Sequence, residues 1–369
     1  MERETLDVDV LIVGGGPAGL SAAIRLALRQ QRDGGEPLAV AVLEKSRQSG
    51  SHMLSGAVLD TSGLDELLPD WKTRGAPVDT AVRDDRIYIL TERSQLRIPN
   101  ILVPSLQNHG NYIISLNRFV RWLSEQAEAE GIDMFTGFAG TEVLYEGTRV
   151  VGVRTGDRGI DKHGDRKGTF EPGVDIKAKV TIFADGVRGN LTKTLIRTLR
   201  LDGPSPQTYA IGIKELWEIP PDRIPTGRVM HTMGYPLRGE EFGGGFIYAL
   251  PEGRLAIGFV AGLDYRDPLF DPHMAFQRFK QHPLVSAMLT GGQMTRYGAK
   301  ALPEGGWYAI PRCHVDGALI VGDAAGFMNS MRLKGIHLAM KSGMYAADTA
   351  FEAVRAGDVS ARQLAAFQH

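Results

Sequence analysis

The sequence is nearly devoid of cysteine. Its 369 residues contain one, Cys313. That excludes an internal disulfide framework, a CxxC redox pair and any four-thiolate metal cluster within the chain, so no metal site is expected. An excess of charge of either sign is also missing. Lys and Arg number 42, Asp and Glu 43, for a formal net charge of −1, which excludes a general attraction to nucleic acid, although not a local basic patch. Long apolar runs are absent too. The longest, residues 10–24, is broken by Gly14, Gly15, Gly16, Pro17 and Gly19. It is shorter than the ~20 residues that span a bilayer. Residues 1–9 are charged and carry no apolar signal core. A membrane-spanning chain is thus not expected, whereas lying on a membrane surface is left open. With 43% hydrophobic and 23% charged residues, the chain reads as globular and long enough for two or three domains. What it has in excess is glycine: 45 residues, against an ordinary ~7% of a chain. Backbone that must approach a ligand closely is one use for it.

The first glycine cluster has a context. Residues 8–13 (VDVLIV) predict a short buried strand. Gly14-Gly15-Gly16-Pro17-Ala18-Gly19 follows at once and matches GxGxxG. Residues 20–30 then predict a helix, and residues 38–43 a second strand ending at Glu44 and Lys45. Glu44 lies 25 residues beyond Gly19, close to the offset of a ribose-binding acid. In this reading Gly14 makes the tight turn, Gly16 lets backbone approach a pyrophosphate, and Gly19 packs the helix on the strand. Pro17 and Ala18 open the helix, whose positive end faces the phosphates. The alternative is a glycine-rich turn. The acid does not separate FAD from NAD.

Two later motifs bear on that choice. Residues 180–186 read as a strand ending in Asp185-Gly186. Residues 317–326 read as a strand ending in Gly322-Asp323 and entering a helix. In order and spacing the three motifs resemble flavoproteins of the aromatic-hydroxylase type. That resemblance implies a late Asp binding the ribityl chain of FAD and an intermediate Asp-Gly supporting the cofactor. A carboxylate suits a sugar alcohol, although Asp323 would also serve as a helix N-cap. Gly243-Gly244-Gly245 precedes residues 246–248 (FIY), a strand rather than a helix, so a second nucleotide domain is not expected. Electrons must then reach the flavin from a substrate or a protein. Cys313 reads as a small apolar residue.

Residues 201–311 are strand-rich. Residues 246–250 and 255–260 flank Pro251-Glu252-Gly253-Arg254, a hairpin turn. The expected fold is α/β (α+β two-domain). Residues 1–200 and 311–369 would form a discontinuous Rossmann-type FAD-binding domain of the aromatic-hydroxylase or geranylgeranyl-reductase kind, and 201–310 an antiparallel-sheet substrate domain laid over it. Within residues 51–71, Leu64, Leu67, Leu68 and Trp71 follow helical spacing. They suit either a helix packed on the core or one dipping into a bilayer. Residues 98–106 are also apolar.

Longer runs resemble the electron-transfer flavoprotein–ubiquinone oxidoreductase family across almost the whole chain. They are residues 54–60 (LSGAVLD), 68–72 (LPDWK), 74–77 (RGAP), 108–112 (NHGNY), 177–184 (KAKVTIFA), 206–212 (PQTYAIG), 214–217 (KELW), 260–265 (VAGLDY) and 339–343 (AMKSG). The resemblance implies FAD, a ubiquinone pocket, and a monotopic membrane-surface helix at about residues 49–71. It implies that Gly243 and Gly244 contact the quinone head, where backbone meets a flat ring without side-chain obstruction; the plain alternative is a β-bulge. Asn329 matches a position near the isoalloxazine and would tune it, or serve as a local turn residue. His109 and His337 read as structural. The sequence departs from the family at Ile336 and Leu338, in its GDAAG late motif, and in lacking the cysteine ligands of the family's [4Fe-4S] cluster. It reads as a fragment of the family protein or as a cluster-free relative.

The implied activity is electron transfer from reduced electron-transfer flavoprotein to ubiquinone, an electron-transferring-flavoprotein dehydrogenase at a membrane. That membrane would be the bacterial inner membrane on its cytoplasmic face, or the mitochondrial inner membrane in a eukaryote. A flavin joins one-electron and two-electron chemistry, while the protein sets its potential and position. Two rivals remain: an FAD-dependent reductase or hydroxylase of an isoprenoid-like substrate, and a non-catalytic flavin-bound module of a larger complex.

Overall fold

The computed structural model describes residues 3–53, 56–78 and 80–368. Its first sheet is organised around β1 (Thr5–Val13). Alternate residues of β1 enter different cores: Val10 and Ile12 join one apolar cluster, Leu11 and Val13 another. Burial on both faces is why this strand reads as an unbroken apolar run. Parallel to it run β2 (Val40–Glu44), β3 (Asp133–Thr136), β4 (Asp175–Phe183) and β5 (Ala318–Ile320), in the spatial order β5-β4-β1-β2-β3. This is the doubly wound arrangement expected of a dinucleotide fold. The hairpin Gly140–Glu146 and Arg149–Thr155 adds antiparallel to β4.

One face of this sheet carries α1 (Pro17–Asp33), the helix Leu116–Ala129 and α2 (Ile336–Ala356). The other carries the helix Asn190–Leu199 and the hairpin. Helices α1 and α2 touch through very small residues. A Cβ on Gly343 of α2 would lie 2.1 Å from the Ala18 carbonyl oxygen of α1. At the rim of this seam Arg25 makes a bidentate pair with Asp348, both bonds at 2.9 Å, and Arg29 Nη1 donates to the same carboxylate at 2.9 Å. Cys313 is buried, donates to the Pro311 carbonyl, and burial pushes its thiol up to about 12. It is the inert apolar residue expected.

The second sheet has seven strands, in the order Gln293–Pro303, Tyr209–Glu218, Arg254–Gly262, Gly243–Ala249, Arg228–Gly234, Asp84–Leu90 and Gln95–Ile98. The predicted hairpin is there: Leu250 N donates to Arg254 O at 2.8 Å, and Glu252 and Gly253 both take positive φ. The sheet also recruits two strands from residues 84–98, which their density of charge disguised. Its outer face packs Phe259 against Phe276 and Phe279 of the helix Pro272–Gln281. Its inner face looks toward the first domain. There Val229, Tyr248 and Ala256 pack against Val82 and Ile113.

Two expectations need correction. The segment 49–71 does not offer an apolar helix to a membrane. Its helix is short, Ser62–Leu67, and Leu64, Leu67, Leu68 and Trp71 are buried in the core shared with α1 and α2. Lys341 of α2 pins it further, with Nζ 2.6 Å from Glu66. Packed against α1 and α2, these four side chains leave no apolar face for a lipid surface. Leu54 and Ser55 lie outside the described residues. Nor does a helix follow Gly322-Asp323 directly: a 3-10 turn, Gly322–Ala324, comes first, Gly326 takes φ +85°, and α2 begins only at Ile336.

The seam yields a prediction. Replacing Gly343 with Val should force α2 from α1 and lower unfolding free energy by about 3 kcal/mol, read by thermal or denaturant melting. Wild-type stability in that variant would show the contact to be dispensable.

Candidate functional site

The C-terminal ends of four parallel strands are tied in a row by backbone hydrogen bonds. Gly14 N donates to Leu43 O at 2.8 Å, Ala184 N to Val13 O at 2.8 Å, and Val321 N to Phe183 O at 2.9 Å. The GxGxxG loop, the Asp185-Gly186 turn and the Gly322-Asp323 turn therefore emerge side by side, at the edge where doubly wound sheets bind ligands.

The glycines there differ in what they answer to. Gly14 takes φ +115°, and a Cβ would sit 2.3 Å from Ala184 O. Gly19 would clash with Gly14 O at 2.0 Å. Both are required by the protein itself. Gly16 is not: its φ is −91°, and a Cβ would meet only Met53 Cε at 3.5 Å. The room it leaves has no protein occupant to explain it. Pro17 begins α1, and Gly16 supplies no side-chain cap, so the first-turn N–H groups keep their capacity for an anion. Ala18 is buried in the α2 contact.

The acids also differ. Glu44 is anchored to the loop: Oε2 accepts from Gly15 N at 2.9 Å, and Oε1 from Ser46 N at 2.7 Å and Ser46 Oγ at 2.6 Å. A carboxylate held so still has lone pairs to offer a hydroxyl. Lys45 beside it is exposed. Asp185 turns inward, accepting from Thr192 N and Thr192 Oγ1 in the first turn of the helix Asn190–Leu199, and burial raises its carboxyl above the usual range. Gly186 takes φ +81°. Asp323 is different again. Among the described residues its carboxylate accepts no hydrogen bond and has one loose ionic neighbour, Lys300 Nζ at 3.8 Å. It caps no helix. Gly322 takes φ +60° and is held by a bond from its N to Ser342 Oγ at 2.9 Å. An unfilled glycine loop at a helix N-terminus, an anchored acid at the second strand and a free acid at the late turn fit a dinucleotide with a sugar-alcohol arm.

Gly243 and Gly244 sit on the opposite sheet. They occupy the first positions of the strand Gly243–Ala249, in regular register with Ala261 and Val260, so they form no bulge. Cβ atoms there would lie 2.0 Å from Val260 O and 2.2 Å from Thr232 O, so close strand approach alone demands glycine. Toward the strand Arg228–Gly234, registered pairing ends at Thr232↔Gly245, and the pair lies beyond it. Asn329 lies in the loop before α2, where its Oδ1 accepts from Arg332 N at 3.0 Å and its backbone pairs with Lys334. His109 is exposed, and His337 is buried with Nδ1 unpartnered among the described residues.

Sequence reasoning missed the polar lining of the inner sheet face. Lys214 Nζ donates to Gly56 O at 2.6 Å, tying the second sheet to the first domain, and burial pushes its pKa down to about 8. His231 Nε2 lies 3.3 Å from Tyr248 Oη, and burial pushes the imidazole down to about 4. The signal was available: a lysine and a histidine at inward positions of otherwise apolar strands. No group of three or more His, Cys, Asp or Glu among the described residues could hold a metal ion.

Comparison with known proteins agrees with this geometry. An "FAD binding domain" family model matches residues 7–215, and one described as "ETF-QO, ubiquinone-binding" matches 209–302. The chain is 47% identical over 351 residues to the mitochondrial electron transfer flavoprotein-ubiquinone oxidoreductase of Dictyostelium discoideum, covering 95% of this chain and 57% of that protein. It is 44% identical over 372 residues to the electron transfer flavoprotein-ubiquinone oxidoreductase of Pseudomonas aeruginosa, covering 100% of this chain and 67% of that one. Among solved structures, a geranylgeranyl bacteriochlorophyll reductase-like protein from Thermoplasma acidophilum superposes with TM-score 0.73 at 21% identity, covering 99% of this chain and 83% of that one. A flavin-dependent brominase gives 0.69 at 17% identity, covering 98% and 83%. These two speak to the fold alone. Fold and site define an FAD-binding flavoprotein with a second, seven-stranded sheet. More narrowly, the chain belongs to the electron transfer flavoprotein–ubiquinone oxidoreductase family, and it spans between 57% and 67% of the length of the two relatives described.

The cradle makes a prediction. Because Gly16 has ordinary φ and open space, Gly16→Ala should leave the melting of the FAD-free protein within ~0.5 kcal/mol of wild type. It should still weaken FAD binding about tenfold or more, the equivalent of ~1.4 kcal/mol, as read by fluorescence titration of the apoprotein. Unchanged FAD affinity would remove Gly16 from the cradle.

Proposed function

We propose that this chain passes electrons from reduced electron-transfer flavoprotein, through FAD, to ubiquinone at a membrane surface. Residues 1–200 and 311–369 would hold the flavin and 201–310 the quinone, with Asp84–Leu90 and Gln95–Ile98 extending the quinone-side sheet. The observation that carries the reading is an exposed apolar row running across the sheet edge to the glycine pair. Leu96 pairs with Ile89, and Ile89 with Met233, one position beyond Thr232 and its partner Gly245. These three side chains are 63%, 40% and 37% exposed. Beside them Ile101 and Leu102 are 82% and 70% exposed. Such a row is costly to leave in water and suits an isoprenoid tail entering from lipid.

The chain's own residues then have definite work. Backbone N–H groups of the Gly14–Gly19 loop and the start of α1 receive the pyrophosphate. Glu44 accepts from a ribose hydroxyl, and Asp323 from the ribityl hydroxyls. Asp185 and Gly186 shape the turn between those two arms. Gly243 and Gly244 present bare backbone to a flat head group. Asn329 holds the loop near the cofactor ring. Bound FAD supplies the exchange between one-electron and two-electron chemistry. Around it the protein excludes water and fixes orientation.

The membrane contact belongs on the loop 99–107 in place of the buried segment 49–71. This loop is rigidly seated. Asp85 is buried and accepts from Asn108 N at 2.7 Å and from Asn108 Nδ2, while Asn100 Nδ2 donates to Asp85 O at 2.9 Å. None of the helices described is long and apolar enough to cross a membrane. The surface we propose is the cytoplasmic face of a bacterial inner membrane, or the mitochondrial inner membrane in a eukaryotic host.

Two measurements test this. Anaerobic mixing with reduced electron-transfer flavoprotein should bleach the flavin, and a ubiquinone analogue should restore its colour. Reduction by NADPH alone would favour a reductase of an isoprenoid-like substrate. Separately, Ile101→Glu with Leu102→Glu should weaken sedimentation with anionic vesicles about tenfold or more, since each large apolar side chain is worth ~1.5–3 kcal/mol when buried. Unchanged vesicle binding would displace the contact from this loop.

A further inference from the structure

Lys214 stands on the inner face of the second sheet, and among the described residues no carboxylate pairs with it. Its Nζ has one hydrogen bond, to Gly56 O at 2.6 Å, and lies 5.3 Å above the Phe246 ring. Among the described residues it forms no salt bridge, and the charge that acts on it is that of another cation, Lys300. The two lysines share a face: in the antiparallel register Lys214 pairs with Gly298, and Gly212 with Lys300. Asp323 lies 3.8 Å from Lys300 Nζ and, among the described residues, makes no ion pair with Lys214. The charge acting on Lys214 is therefore that of its neighbouring cation. A largely buried ammonium without a counter-ion is expensive, and a protein that keeps one has a use for it.

The surroundings indicate the shape of the missing anion. Both cross-strand neighbours of Lys214 are glycine, Gly258 on one side and Gly298 on the other. At Gly258 a Cβ would strike the Phe246 ring at 2.0 Å. At Gly212, two residues before Lys214 on the same strand, a Cβ would meet nothing closer than 3.5 Å. Gly258 thus makes room for the Phe246 ring, and the floor around the ammonium is an aromatic face flanked by bare backbone. The residue it grips, Gly56, continues the segment whose Met53 borders Gly16 of the phosphate loop. The anion that fits is planar and belongs to the group held by that loop.

We propose that Lys214 is the counter-charge to the negative charge that the isoalloxazine acquires on reduction, and that it raises the flavin's midpoint potential. The balance is simple. A neutral oxidised ring takes two electrons from a reductant and one proton from solvent, and one negative charge stays on the ring. A fixed cation beside that charge stabilises the reduced form relative to the oxidised one. Lys214 is thus an electrostatic partner of the ring, needed whichever protein supplies the electrons. The proposal rests on FAD occupying the cradle described above.

Sulfite offers a direct probe. Its sulfur lone pair forms a bond to flavin N5, and an electron pair moves onto the N1–C2=O edge, leaving the same ring charge with no donor protein or quinone present. In the FAD-loaded chain, the neutral variants Lys214→Met and Lys214→Gln should bind sulfite about tenfold more weakly. They should also lower the two-electron potential correspondingly, by ~30 mV. Lys214→Arg, which keeps the charge, should stay near wild type in both. The glutamine variant keeps an N–H for the Gly56 carbonyl, so a loss shared by both neutral variants reports charge and not that bond. Neutral variants that retain FAD with wild-type sulfite affinity and potential would overturn the proposal. So would unsubstituted protein whose flavin binds sulfite no better than free FAD, a measurement that needs no variant. Since neither electron-transfer flavoprotein nor ubiquinone takes part, failure here leaves the proposed electron route standing, and failure of that route leaves Lys214 standing.

Discussion

Three backbone hydrogen bonds and close contacts at the ends of the parallel strands set everything else in this molecule. The chain leaves β1, β4 and β5 at points far apart in sequence, yet Val13, Phe183 and the residues after them are laced together through Ala184 N and Val321 N. Because the strands are parallel, all three turns open on the same edge. The helix that follows the first turn and the helix that follows the third then meet through Ala18 and Gly343. A side chain at Gly343 would strike the Ala18 carbonyl and separate the two helices. The small size of Ala18 and Gly343 is a geometric demand on the binding edge, made by residues with no chemistry of their own.

Much of this was legible in the sequence. The strand–GxGxxG–helix unit, the Asp-Gly and Gly-Asp strand ends and the hairpin at residues 251–254 carry signals that depend on local chemistry: burial on two faces, positive φ, and the need for bare backbone. What was not legible depends on tertiary neighbours. The spacing of Leu64, Leu67, Leu68 and Trp71 says that one face is apolar but not what covers it, and α2, distant in sequence, turned out to be the cover. The strands at residues 84–98 escaped notice because Asp84, Asp85, Arg86 and Arg97 interrupt the apolar pattern, while the later strand Arg228–Gly234 supplies the partner of Asp84–Leu90, which in turn pairs Gln95–Ile98. The two acids read as cofactor contacts also part company in three dimensions. Among the described residues Asp323 accepts no hydrogen bond and has only Lys300 as a loose ionic neighbour, whereas Asp185 is committed to a helix start, a difference that no strand-end motif encodes.

The two sheets divide the labour by polarity. The first presents N–H groups and acids to phosphate and sugar. The second presents glycine, aromatic rings and lysine to whatever lies between. Its edge then runs out into apolar side chains at Leu96, Ile89 and Met233. In the proposed reading, a flat cofactor ring and an apolar co-substrate would thus meet surfaces of opposite kinds.

The distribution of the cradle along the chain bears on biosynthesis. A ribosome delivers the phosphate loop first, but β5 and α2 emerge some three hundred residues later. Until they arrive, β4 lacks one neighbour and α1 exposes the face that Gly343 will cover. A product interrupted before β5 and α2 would keep a recognisable nucleotide motif yet lack the third turn and the cover over α1.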